Sequence, residues 1–149
     1  AKVWVSHYGT SRKVAATDTL YGTAFTNLAR AKFWDNVTKG QVRLSGDSVC
    51  KEVARAGNLQ VMKWAHEEET FPWGRCVSVI AAQCGHLSML KYLHEKGCEW
   101  DEWTCAHAAR KGHLDVLKFA YENGCPWGES TCEWAALNGH LEVLKYAHE

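Results

Sequence analysis

The chain has 149 residues, 46% hydrophobic and 23% charged, with two prolines; one domain of ordinary size is the default for such a chain. Its 17 Lys and Arg balance 17 Asp and Glu, which argues against a nucleic-acid or membrane binder driven by bulk charge. No apolar run of about eighteen residues exists to span a bilayer, and no signal peptide is visible.

The neutral total hides an uneven distribution. Residues 1–48 hold seven bases (Lys2, Arg12, Lys13, Arg30, Lys32, Lys39 and Arg43) against three acids (Asp18, Asp35 and Asp47). The rest is acidic, with ten bases and fourteen acids. One amphipathic helix is expected near residues 23–37: Leu20, Ala24, Leu28 and Ala31 follow helical spacing, Asp18 or Thr19 caps it, and Gly40 follows. The remainder is Ser, Thr and Gly-rich with scattered aromatics and little core of its own. It reads as an extended basic arm that docks on another protein and anchors the chain in a larger assembly, with Trp4, Tyr8, Arg12, Lys13, Phe33 and Trp34 as contacts. Docking back on the acidic body is the alternative. The seven bases, interleaved with aromatics, also suggest an RNA-contacting accessory subunit, a reading that the acidic body opposes.

From residue 49 the chain repeats itself. Gly57, Gly85, Gly112 and Gly139 are spaced 28, 27 and 27 apart. Each opens a near-copy: NLQVMKWAHEEETFPW, HLSMLKYLHEKGCEW, HLDVLKFAYENGCPW and HLEVLKYAHE. The extra residue of the first step lies in the loop at residues 67–71. Trp73, Trp100 and Trp127 each precede the next Gly at one spacing, and Cys50, Ser78, Cys105 and Cys132 share another column. Small pairs stand before each Gly: Val53-Ala54, Ala81-Ala82, Ala108-Ala109 and Ala135-Ala136.

Each unit reads as two short helices. In the third, Thr104 is a candidate cap, and Cys105, Ala108 and Ala109 form one apolar stripe. Gly112 ends that helix by taking a left-handed turn at no steric cost. A second helix runs over about residues 113–122, with Leu114, Val116, Leu117, Ala120 and Tyr121 on its apolar side and Asp115, Lys118 and Glu122 opposite. Asn123-Gly124 closes it. Helices of about ten residues are marginal alone, so the units must stack, as in a solenoid.

The segment G-H-L-[ED]-V-L-K-[YF], preceded by A-A-x-x, resembles the ankyrin repeat over about residues 49–149, in a short variety with H-E-x-G-C-P-W in its loop. The step of 27 is shorter than the 33 of a standard ankyrin repeat, and Thr104-Cys105-Ala106-His107 and Thr131-Cys132-Glu133-Trp134 replace the usual T-P-L-H. A shortened hairpin between repeats is the expectation. The fold class is therefore an all-α solenoid: residues 1–48 are the arm, and residues 49–149 are about four stacked repeats, the last incomplete. The resemblance implies a non-catalytic protein–protein interaction module, a scaffold or linker subunit, that binds protein partners on its concave face. It places contacts at Arg55, Ala56, Gln83, Cys84, Arg110, Lys111, Leu137 and Asn138.

The helical wheel agrees for the first helices. With Cys105, Ala108 and Ala109 facing the stack, His107, Arg110 and Lys111 point away, and Ile80 and Trp134 share the column of His107. These columns vary between repeats while their neighbours stay constant. Constant columns build a scaffold; varied ones are free to be selected for contact. Trp134, Leu137 and Ile80 would form an exposed apolar patch of the kind that marks an interface. Trp73, Trp100 and Trp127 read as a structural ladder along the inter-repeat loops, which leaves Trp103 and Trp134 as contacts.

Seven cysteines and eight histidines invite a metal or thiol reading. They fall in repeat columns, which implies packing, and their spacing matches no closed zinc site. The His after each Gly is expected to hydrogen-bond the inter-helix turn. No phosphate loop, G-x-S-x-G or H-E-x-x-H occurs, so no enzyme, metal or cofactor is expected. A substrate adaptor remains a third reading, although no additional motif marks one. An odd Cys count suggests a reducing interior, cytoplasm or an organelle (mitochondrion or plastid); with Ala1 first, removal of a Met or of a longer leader is the expectation. Leu141, Leu144 and Tyr146 lie on a last helix with nothing after it, so more chain or a partner is expected to cover that end.

Overall fold

The computed structural model describes residues 46–67 and 72–148, with side chains from residue 49. The helix expected near residues 23–37 and the contacts at Trp4, Tyr8, Arg12, Lys13, Phe33 and Trp34 lie outside the described residues. Within them are eight helices: α1 (Gly46–Ala56), α2 (Leu59–Glu67), α3 (Arg75–Cys84), α4 (Leu87–Glu95), α5 (Glu102–Lys111), α6 (Leu114–Glu122), α7 (Glu129–Leu137) and α8 (Leu141–His148). No strand occurs among the described residues. The chain is an all-α solenoid of helix pairs, and the connections at residues 96–101 and 123–128 are short. α1 begins three residues before the expected boundary at residue 49.

The two helices of a unit lie in different layers. The first helices α1, α3, α5 and α7 pack side by side in chain order, while α2 packs on α4 and α4 on α6. The small pairs make the first layer possible: Val53, Ala54, Ala81, Ala82, Ala108 and Ala109 are all fully buried where neighbouring first helices meet. The second helices contribute the larger core side chains, Met62, Leu90 and Leu117, equally buried. Apolar area removed from water drives this, at about 25 cal/mol per Å²; no helix of this length would persist without it.

The turn inside each unit is set by its glycine. Gly85 and Gly112 end α3 and α5 in the left-handed region, at φ 77° and 75°. Gly85 N–H donates to Ala82 O and His86 N–H to Ala81 O, at 3.2 and 3.0 Å, which satisfies carbonyls that the helix leaves open. At the other end of α5 the cap differs from expectation. Asp101, not Thr104, is the cap: its carboxylate accepts the Trp103 N–H at 3.1 Å. Thr104 lies inside the first turn, buried, with no partner for its hydroxyl. In the first unit Asn58 caps α2, its Oδ1 accepting from Gln60 and Val61 N–H.

The stripe of α6 is narrower than expected. Val116, Leu117 and Ala120 are buried, but Tyr121 is 51% exposed. It stands about a quarter turn from the centre of that stripe, where it meets Trp127 rather than the core.

Candidate functional site

Constant columns hold the units together. The imidazoles of His86, His113 and His140 bond not the turn of their own unit but the end of the first helix before the turn of the preceding one. Each reaches back one unit, Nε2 donating to the carbonyl of Arg55, Gln83 and Arg110 at 3.2, 3.2 and 3.0 Å. The ring then lies on the preceding glycine: a Cβ at Gly57, Gly85 or Gly112 would come within 2.5, 2.7 or 2.6 Å of the imidazole. The glycine is thus required twice, for its positive φ and for the ring above it.

The tryptophan column is structural as well. Trp73 stacks on His66 of its own unit at 3.6 Å between ring centres and meets Tyr92 of the next edge-on at 6.2 Å. Trp100 repeats this with His94 and Phe119, whereas Trp127 meets Tyr121 edge-on at 5.2 Å and Tyr146 at a tilt. Lys63, Lys91 and Lys118 lie over the rings of Tyr92, Phe119 and Tyr146 at 5.6, 5.5 and 5.2 Å. Glu67 adds a tie between units, accepting from Tyr92 Oη and pairing with Lys96, both at 3.1 Å. Burial first, then this carboxylate, pushes Tyr92 up to about 12. The lysine and carboxylate partners escaped the sequence reading, although their columns were visible in it.

The thiols pack within units. Ser78 Oγ lies 3.1 Å from Cys98 Sγ. In the same two columns Cys105 hydrogen-bonds Cys125, and that bond, with burial, pushes the Cys105 thiol up. Burial also raises Cys98. None of the seven cysteines forms a disulfide. No group of three or more His, Cys, Asp or Glu able to hold a metal ion occurs among the described residues.

The varied columns form the open side of the first-helix layer, and their most developed part spans α5 and α7. Trp103, 48% exposed, lies 6.3 Å from the ring of His107 one turn on. Burial, and then the charge of Arg110, depresses His107, against a weaker pull from Asp101. Arg110 crosses to the next unit, its guanidinium 4.8 Å from the centre of the Trp134 ring. Leu137, one turn beyond Trp134, is 77% exposed. Five of the expected contacts therefore form one continuous surface. Neither Leu137 nor Trp103 has a structural task in the stack, whereas Arg110 holds Trp134 flat, and cation–π contact contributes about 0.5–1 kcal/mol at such sites.

The other expected contacts are placed differently. Ile80 packs partly against the core. Arg55 is exposed and pairs with Glu52 on its own helix. Gln83 is half-buried and lends its carbonyl to His113. Lys111 is exposed beside the α5 turn. Asn138 is exposed and donates its side-chain amide to Trp134 O at 2.8 Å, closing α7. The Arg110–Trp134 pair escaped the sequence reading because it joins two different columns of adjacent units.

No helix among the described residues is long and apolar enough to cross a membrane. A family model described as "Ankyrin repeats (3 copies)" matches residues 50–148. No curated protein matches the chain.

Proposed function

The chain belongs to the ankyrin-repeat family, whose members are protein–protein interaction modules, and on that premise we propose that it is a non-catalytic scaffold or linker subunit. It takes hold of a protein partner through the open side of its first helices. The observation that carries this is the division of labour among columns. Glycines, small pairs, histidines and the Trp73, Trp100 and Trp127 column are consumed in stacking. Trp103, His107, Trp134 and Leu137 differ from their counterparts in other units, Arg110 stands in a column that reads Arg55, Gln83, Arg110 and Leu137, and all five reach solvent. Aromatic residues and Arg are the types enriched where binding energy concentrates, and here they adjoin an exposed Leu. The basic segment 1–48 supplies a second contact with the assembly in this reading. Seven cysteines outside any disulfide suit a reducing compartment.

The test uses the full chain, tagged and purified with its native partners. Changing Trp134 and Leu137 together to Ala is expected to reduce recovered partner at least tenfold while helical circular dichroism is kept. Full retention of the partner would overturn the assignment of this surface.

A further inference from the structure

Cys105 stands near the start of α5 and Cys125 in the connection that follows α6. Their sulfurs meet. The Cys105 thiol donates to Cys125 Sγ, and Cys125 Sγ donates in turn to Asp101 O at 3.3 Å. Both residues are buried, at 0% and 3% exposure. The bond that pushes Cys105 up pulls Cys125 down, against the opposing effect of burial. Cys125 is therefore the sulfur that gives up its proton first.

The preceding unit holds the same two positions as Ser78 and Cys98, both buried and in contact at 3.1 Å. The geometry is repeated there, but a hydroxyl stands where a second thiol would be needed. Only the chemistry differs between the two units, which makes the earlier one an internal control.

We propose that Cys105 and Cys125 are a dithiol that a low-molecular-weight disulfide of the glutathione type oxidises, reversibly, to a disulfide within the unit. The Cys125 thiolate attacks one sulfur of the small disulfide and expels a first thiolate, which takes up a proton. Cys105 then loses its proton and attacks Cys125 Sγ, expelling the second. Two protein S–H bonds and the small S–S bond are broken; one protein S–S bond and two small S–H bonds are made, and two electrons pass to the reagent. Asp101 O loses the Cys125 donor but keeps the Thr104 N–H at 3.0 Å, so oxidation leaves no carbonyl orphaned. The connection, in which Gly124 and Pro126 are exposed, opens to admit the reagent. The loop that the bond closes takes in all of α6 and most of α5, so it staples the unit that carries Trp103, His107 and Arg110.

The test incubates the reduced full chain with oxidised glutathione, quenches in acid, alkylates in denaturant and maps the cysteines by mass spectrometry. A link between Cys105 and Cys125 is expected, reversed by dithiothreitol, with a melting temperature about 5 °C higher in the oxidised form. Cys125→Ser should abolish the link and the shift. Ser78→Cys is the independent arm, because its column already accepts Cys at residue 105: it should gain a second link, to Cys98, under the same conditions. Cys105 and Cys125 that stay reduced while exposed Cys76 is modified would overturn the proposal. So would glutathione held on Cys125 without transfer to Cys105, a bond from either residue to another cysteine, or a Ser78→Cys chain that gains no link.

Discussion

The imidazole of His113 occupies the space in which residue 85 would carry a side chain: a Cβ on Gly85 would lie 2.7 Å from His113 Cε1, while His113 Nε2 reaches Gln83 O at 3.2 Å. One residue thus closes a unit and seats the next. Gly97 is the internal control, with the same φ of 77° and nothing within 4 Å of its Cβ position.

Gly97→Ala should therefore cost only the left-handed conformation, about 1 kcal/mol. Gly85→Ala adds steric conflict with a ring held on both sides, about 2 kcal/mol more. Denaturant unfolding measures both. In a His113→Ala background the extra penalty at Gly85 should vanish; an unchanged penalty would mean that the ring is not the cause.

Trp100 and Trp103 lie three residues apart and should behave oppositely. Trp100 is clasped between His94 and Phe119, so Trp100→Ala should destabilise by about 3 kcal/mol. Trp103→Ala, at an exposed position, should stay within about 0.5 kcal/mol. Equal losses on chemical unfolding would contradict the separation of ladder from surface.

This separation shows what the sequence could and could not convey. Gly112, the Ala108-Ala109 pair and the Trp100 column recur at one period, so their roles and the solenoid itself were readable from spacing alone. The target of His113 was not readable, because it is a carbonyl one unit back, and only the register between stacked units defines it. Asp101 lost to Thr104 as the expected cap because both are capping residues within one turn. Arg110 and Trp134 meet across units from different columns, a pairing that periodicity does not express.

Alkaline titration tests the tie between α2 and α4. Tyr92 keeps its proton to about 12 in the folded state, above the ordinary 10 of an unfolded tyrosine. The folded form binds the extra proton between these values, so stability present below pH 10 is lost as the pH rises towards 12. In Tyr92→Phe this alkaline loss should shrink, and the latest-ionising phenolate should disappear from the ultraviolet titration. A Tyr92 that ionised at the ordinary value of about 10 would refute the tie.

Thiol labelling tests the packing of the cysteine columns. Cys76 is exposed, whereas Cys98, Cys105 and Cys125 are buried. Alkylation of the native protein should reach Cys76 at least a hundredfold faster than those three, with the difference erased in denaturant. Rapid native labelling of Cys125 would contradict its placement.

The central claim is that the varied face of the first helices, and not the second-helix layer, engages the partner. Leu137 on α7 and Tyr121 on α6 are both exposed, at 77% and 51%, so a photo-crosslinking residue placed at either one in the full chain compares the two layers within the native assembly. The expected result is a crosslinked partner from position 137 that disappears on Trp134→Ala, with none from position 121. Crosslinking from position 121 alone, or from 137 with no dependence on Trp134, would contradict the claim.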